Sequence, residues 1–160
     1  MTNFDFLQAD PRFESFFEVA ASAEQLLHID AAASVLNCRR AMEFAIKWIY
    51  SRDARLKPIY DATLIDLMEE AAFRSLLGET LYRRLDFIRK LGNDAAHEEE
   101  AISFEQAKNC LENLFYFMDF VASRYGKNYR KPKFDETLLE LTREEALSFV
   151  TKQNQNGQST

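Results

Sequence analysis

The feature that most constrains the fold is the scarcity of chain-breaking residues, since only four glycines and three prolines occur among 160 residues. Turn-rich β architectures need these residues at their many turns, whereas long helices exclude them. Apolar residues make up 47% of the chain, and 14 residues are phenylalanine, which favours thick aromatic packing between helices. The composition predicts an all-α fold, a single helical bundle of about five to six helices followed by a C-terminal tail.

Caps and apolar stripes mark the first two helices. Asp10, followed by proline, predicts the start of a helix that runs to about Leu27. Asp30 is a plausible cap for a second helix over roughly 31–53, where apolar residues recur at helical spacing.

Shorter helices are predicted in the middle of the chain. One is expected over 64–68, the stretch 73–78 is a turn or a helix, and a further helix ends at Gly92 in a left-handed cap. Ser103, with Gln106 three residues later, forms a capping box that opens a last long helix. That helix is predicted to end at about Gly126.

The composition changes after residue 126, where a basic run is broken by a proline. We therefore predict a helical accessory domain over 1–126 and a basic linker over 127–160. The linker is expected to contain a short helix near 143–151 and a polar, frayed tail from residue 152.

The net charge of −6 is unlike that of a dedicated nucleic-acid-binding domain, which is usually basic. Basic residues nevertheless cluster locally, and such clusters can contact phosphate. The candidates for nucleic-acid contact are Arg83, Arg84 and Lys90 on one helix, and Arg130 and Lys131 beyond the last long helix.

Several chemistries have no sequence signal. The chain has no glycine-rich phosphate loop, and its acidic runs and two histidines are too sparse for a zinc site, so we expect no metal and no cofactor in this domain. Cys38 and Cys110 form no CxxC motif and are predicted to be buried free thiols. No secretory signal or membrane-spanning run is visible, so we expect a cytoplasmic protein without membrane contact.

Arg39 is the most informative polar residue, because it falls inside the apolar stripe of the second helix. A charge on an apolar face needs a partner, and Glu43 lies one turn later. The predicted turn at Gly92 offers a second polar segment, with Asn93 in the turn and His97 on the linker after it. We predict one structural polar cluster that contains Arg39, Glu43, Asn93 and His97.

A family resemblance rests on these residues. The pattern Arg39-x-x-x-Glu43, the segment over 89–97 (RKLGNDAAH) and the opening NFDFL over 3–7 resemble a helical N-terminal domain of unknown function in type I restriction R-subunit-like proteins. The resemblance covers roughly 3–126. It implies a non-catalytic accessory domain in DNA restriction and defence, which contacts other domains or subunits of a restriction complex. ATP and Mg²⁺ would then act only in a helicase–nuclease part of the parent protein.

That family is in turn similar to HEPN domains, which are helical bundles of prokaryotic defence systems. Active HEPN nucleases carry an Arg and a His separated by four to six residues and cleave RNA without metal. The resemblance implies Arg89 as a stabiliser of phosphate charge and His97 as an acid–base group, although seven residues separate the two here. A metal-independent ribonuclease and a DNA-binding accessory domain are therefore alternatives, and a homodimer is a further possible partner state.

Overall fold

A computed structural model describes residues 1–97 and 100–158. No strand occurs in these residues, so the predicted all-α class is confirmed. Two 3-10 turns, Asp5–Ala9 and Pro11–Phe13, precede the first α-helix. The described chain then contains seven α-helices, named in order α1 (Glu14–Leu26), α2 (Ala31–Arg52), α3 (Leu64–Glu69), α4 (Ala71–Leu77), α5 (Glu79–His97), α6 (Phe104–Tyr125) and α7 (Thr137–Gln158).

Three helix starts that were predicted from caps, at Asp10, Asp30 and Ser103, are confirmed. The Asp10 carboxylate accepts a hydrogen bond from the backbone N–H of Arg12, and the Asp30 carboxylate accepts one from that of Ala33. Ser103 and Gln106 form the predicted capping box at the start of α6. Because the stretch predicted as a turn or a helix over 73–78 forms α4, six α-helices of the described chain lie before residue 126, within the expected five to six, and α7 is the seventh.

Helix α2 lies at the centre of the bundle and packs against α1, α5 and α6. Its buried face supplies Met42, Ile46 and Ile49, which are fully enclosed. Phe4, from the segment before the first turn, and Leu7 within it close one side of the same core. Fully burying each large apolar side chain contributes about 1.5–3 kcal/mol, so this shared core holds the helices at fixed positions.

The predicted end of a helix at Gly92 is wrong, because α5 continues through it to His97. Gly92 is buried inside the helix, and the apolar spacing that includes Ile88 carries on to Ala95. Asn93 is consequently a helical residue, and no turn separates it from His97.

The C-terminal helix is longer than predicted. It begins at Thr137, whose backbone N–H donates to the Asp135 carboxylate at 2.9 Å, and it runs to Gln158. Buried Leu139 anchors α7 to the core. This residue lies outside the predicted short helix over 143–151, so the prediction missed the contact that holds α7 in place. The division of the chain at residue 126 stays a prediction.

Two further expectations concern the cysteines and the membrane. Cys38 and Cys110 are both fully buried free thiols, as predicted. Burial raises the pKa of the Cys38 thiol well above its ordinary value, which keeps it protonated. Of the helices in the described chain, none combines the length and the apolarity that crossing a membrane requires.

Candidate functional site

The side chain of Arg39 on α2 lies directly across the backbone of α5 at Gly92. A Cβ atom added to Gly92 would meet the Arg39 Cδ at 2.5 Å, its Cβ at 3.1 Å and its Cγ at 3.2 Å. Glycine inside a helix costs about 1 kcal/mol relative to alanine. Glycine at this position therefore lowers the stability of α5, but the missing Cβ leaves room for the Arg39 side chain to pack against the helix backbone.

The Arg39 guanidinium has no protein partner among residues 1–97 and 100–158. Its Nε is buried and forms no hydrogen bond. The predicted pair with Glu43 is wrong, because Glu43 instead pairs with Lys47 at 3.2 Å, one turn further along α2. An unsatisfied buried donor costs about 1–3 kcal/mol, and more for a charged group.

Helix rotation places the polar residues of α5 around Gly92. Arg84 marks the side that faces α6, because its Nη1 donates to the Asn113 Oδ1 at 2.8 Å. Since each helical residue turns by about 100°, Arg89 and Asn93 fall on the other side of Gly92, away from Arg84. The Asn93 side chain is half-buried and forms no hydrogen bond in the described chain. We call Arg39, Arg89, Gly92 and Asn93 the α2–α5 seam.

Arg89 is already engaged with an acidic side chain. Its Nε and Nη2 donate to the Asp86 Oδ1 at 3.2 and 2.9 Å, and Lys90 pairs with the other oxygen at 2.9 Å. Burial by itself would raise the pKa of Asp86, but the hydrogen bonds from Lys90 and Arg89 hold it below its ordinary value. Asp86 is therefore ionised at neutral pH and balances part of the positive charge of this side of α5.

His97 does not join Arg89 or Arg39 in one cluster. It is the exposed last residue of α5, and its side chain has no partner among the described residues. Eight helical residues from Arg89 to His97 correspond to a rise of about 12 Å. Of the four residues of the predicted polar cluster, the seam includes Arg39 and Asn93, whereas Glu43 and His97 form no bond with either of them.

The predicted nucleic-acid contacts are spread over separate surfaces. Arg83 is 78% exposed and lies 3.6 Å from Glu79. Arg84 is held by Asn113 and stacks over the Tyr116 ring at 4.2 Å from its centroid.

The remaining nucleic-acid candidates are exposed. Lys90 is exposed beside Asp86. Two more candidates are exposed in the segment between α6 and α7, namely Arg130 and Lys131.

Two tyrosines near that segment have rings that could stack on bases, but the structure turns both inward. The Tyr125 hydroxyl donates to the Asp53 Oδ2 at 2.7 Å, and the Tyr129 hydroxyl donates to the Asp119 Oδ1 at 2.5 Å. Burial and the bond to Asp53 raise the pKa of Tyr125 to about 12. Both rings are half-buried and belong to the body of the domain, which leaves Arg130 and Lys131 without a stacking platform from them.

Neither a metal site nor the cavity beside Asp53 offers an alternative candidate in the described chain. No group of three or more His, Cys, Asp or Glu side chains in the part described could hold a metal ion. A shallow cavity of about 410 Å³ is bounded by Asp53, Arg55 and Arg124. Its carboxylate is already held by Arg55 at 2.6 Å and by Tyr125. The α2–α5 seam differs because one of its charges is left without a partner.

The contact between Arg39 and Gly92 was missed by the sequence reasoning. Gly92 was interpreted as a helix end because glycine is common at that position. The apolar spacing of Leu85, Ile88 and Leu91 continues at Ala95, and this continuation was the available signal that the helix passes through the glycine. A glycine within an unbroken stripe indicates close approach of another element.

Residues 21–146 match the family model DUF4145, a domain of unknown function. This match covers well over half of the chain. The chain belongs to the DUF4145 family. The match includes every residue of the α2–α5 seam and extends beyond residue 126, so the family includes the first part of α7. No curated protein and no solved structure matches the chain.

Proposed function

We propose that this DUF4145 domain is a non-catalytic accessory domain of a type I restriction R-subunit-like protein, where it contacts other domains or subunits of the restriction complex. The resemblance over roughly 3–126 supports the assignment to a restriction system. A domain of this kind contributes binding surface and geometry, while ATP hydrolysis and DNA cleavage belong to other parts of the parent protein.

The observation that carries the non-catalytic role is the separation of Arg89 from His97. General acid–base catalysis needs its groups within about 3 Å of the reacting atoms or one water away. Arg89 lies about 12 Å from His97 along the helix axis and is bound to Asp86. The pair that would cleave RNA in an active HEPN nuclease therefore does not converge on one phosphate within this chain.

A DNA-binding accessory role has less support from the geometry. Of the basic candidates on α5, Arg83 lies beside Glu79 and Lys90 is paired with Asp86. Binding DNA through these two side chains would first require the loss of their pairs with acidic residues. Salt-dependent DNA binding that weakens when Arg83 and Arg84 are both replaced by Ala would favour this alternative.

The restriction role is tested in the host. We expect deletion of the gene to raise the plating efficiency of unmodified phage by at least an order of magnitude, and the wild-type gene to restore restriction. Unchanged plating after deletion would exclude a part in restriction.

The non-catalytic role needs a separate assay on the purified chain. Single-stranded RNA incubated with the wild type and with His97→Ala, in the presence of EDTA, is expected to give the same background cleavage. Cleavage by the wild type that is lost in His97→Ala would overturn the proposal and favour a metal-independent ribonuclease.

A further inference from the structure

We propose that the α2–α5 seam is a phosphate-binding site, with the guanidinium of Arg39 as its central donor. The inference goes beyond the accessory role and does not depend on it. It starts from the one buried side-chain polar atom in the described chain that has no partner, the Arg39 Nε.

The position of Arg39 is fixed by α5, and its charge is not balanced by α2. Gly92 allows the Arg39 stem to lie against the helix backbone, where any larger residue would displace it. The nearest acid on α2, Glu43, is paired with Lys47. Arg39 as a whole is half-buried, so the part of its guanidinium that is not enclosed can be reached by an anion from outside.

The charge of this part of α5 favours a phosphate over a carboxylate. Arg89 and Lys90 share a single acidic partner, Asp86, so these three side chains keep one net positive charge in addition to that of Arg39. Asn93 adds an amide that makes no hydrogen bond in the described chain. One guanidinium fork already satisfies a planar carboxylate, whereas a tetrahedral phosphate can accept from donors on two helices.

Two sources can supply this group, namely free phosphate and the backbone of a nucleic acid. The test follows the ¹H–¹⁵N resonance of the Arg39 Nε in the full chain, which is assigned by its loss in Arg39→Met. Inorganic phosphate, acetate and a single-stranded deoxyoligonucleotide without terminal phosphate are each titrated at matched ionic strength. We expect phosphate to move this resonance in a saturable way, and acetate to have little effect.

Three variants sharpen the result. Arg39→Met keeps the apolar stem and removes the fork, so the Kd for phosphate, followed by the Asn93 amide resonances, is expected to rise about tenfold or more. Gly92→Ala keeps the charge but displaces the stem and is expected to weaken binding about threefold or more. Arg40→Met is the matched control, because Arg40 is the next residue, is exposed and stacks over Phe44; its Kd is expected to stay at the wild-type value.

The titrations decide the proposal and the source of the phosphate. Saturation by the oligonucleotide that also requires Arg39 would identify a nucleic-acid backbone as the ligand. Saturation by inorganic phosphate alone would identify a small phosphate compound, and both results support the site. A response to acetate as strong as that to phosphate would overturn the proposal in favour of a carboxylate from a protein partner. An unmoved Nε resonance, or equal phosphate binding by wild type, Arg39→Met and Gly92→Ala, would also overturn it.

Discussion

The seam differs from the region that joins the N-terminal segment to the connection between α6 and α7 in how enclosed charged side chains are satisfied. We call the second region the terminal clasp, which consists of Asp10 with Arg12 and Lys127, and of Glu24 with Asn3 and Asp135. The nearly buried Asp10 carboxylate accepts from the Arg12 Nη2 at 2.6 Å and from the Lys127 backbone N–H at 3.1 Å. At the seam, the Arg39 Nε is buried and donates to no partner among residues 1–97 and 100–158.

The other half of the clasp shows the same satisfaction of buried groups. Glu24 is fully buried, and its carboxylate accepts from the backbone N–H of Asn3 at 3.0 Å and from its Nδ2 at 2.9 Å. Asn3 also accepts from the Asp135 backbone N–H at 2.7 Å, which joins the segment before α7 to the N-terminus. The buried carboxylates of the clasp are thus satisfied within the fold, whereas Arg39 has no such partner among the described residues, which is the basis of the phosphate-binding proposal.

The largest expected effect comes from breaking the clasp. Asp10→Ala removes the acceptor of Arg12 and of the Lys127 backbone N–H, and it removes the cap of the turn before α1. We expect the free energy of unfolding to fall by about 3 kcal/mol, measured by urea denaturation. Asp94→Ala, at an exposed position of α5, is the control and should change it by less than about 0.5 kcal/mol. A comparable loss in both variants would remove the contrast between clasp and surface.

The next effect is on acid stability. Hydrogen bonds from Arg12 to Asp10 and from Arg55 to Asp53 hold the pKa of each carboxyl well below its ordinary value. A lowered pKa gives stability that is present above the ordinary pKa and is lost as the pH falls through the folded value. Glu24 acts in the opposite direction, because burial raises its pKa and its contribution is lost as the pH rises through that value.

Since Asp10, Asp53 and Asp86, whose pKa values are lowered, together outweigh Glu24, the free energy of unfolding is expected to fall by roughly 2 kcal/mol between pH 5 and pH 3. Asp10→Asn should make this fall shallower, as measured by urea midpoints at each pH. An equally steep fall in that variant would show that the clasp does not control acid stability.

The smallest effect, and the one of opposite sign, is expected at the seam. Arg39→Met keeps a long stem across Gly92 and removes the buried donor that has no partner. Arg and Met have similar helix propensities, so we expect the free energy of unfolding to rise by about 1 kcal/mol. Arg40→Met should leave it within about 0.5 kcal/mol. Destabilisation by Arg39→Met as large as that by Asp10→Ala would show that Arg39 stabilises the folded protein as Asp10 does, and that the seam and the clasp do not differ in this respect.

Much of the fold could be predicted because its signals are local. Asp30 and Ser103 cap helices within three residues of themselves, and the apolar stripe of α2 needs only its own sequence to be recognised. The error at Gly92 arose because a glycine has the same sequence signature at a helix end as at a close contact between helices. The start of α7 was missed because the capping-box pattern from Thr142 to Glu145, which predicts a start near residue 143, lies inside the helix, whereas the observed cap is at Asp135.

By itself, the sequence determined the all-α class, the main helices and the burial of both cysteines, because spacing, caps and composition act over a few residues. Only the tertiary structure decided which partner each charged side chain obtained. Glu43 pairs with Lys47 and not with Arg39, and Asp86 engages Arg89. Such choices depend on how two helices approach and rotate, and at Gly92 this approach is set by the absence of a single Cβ atom.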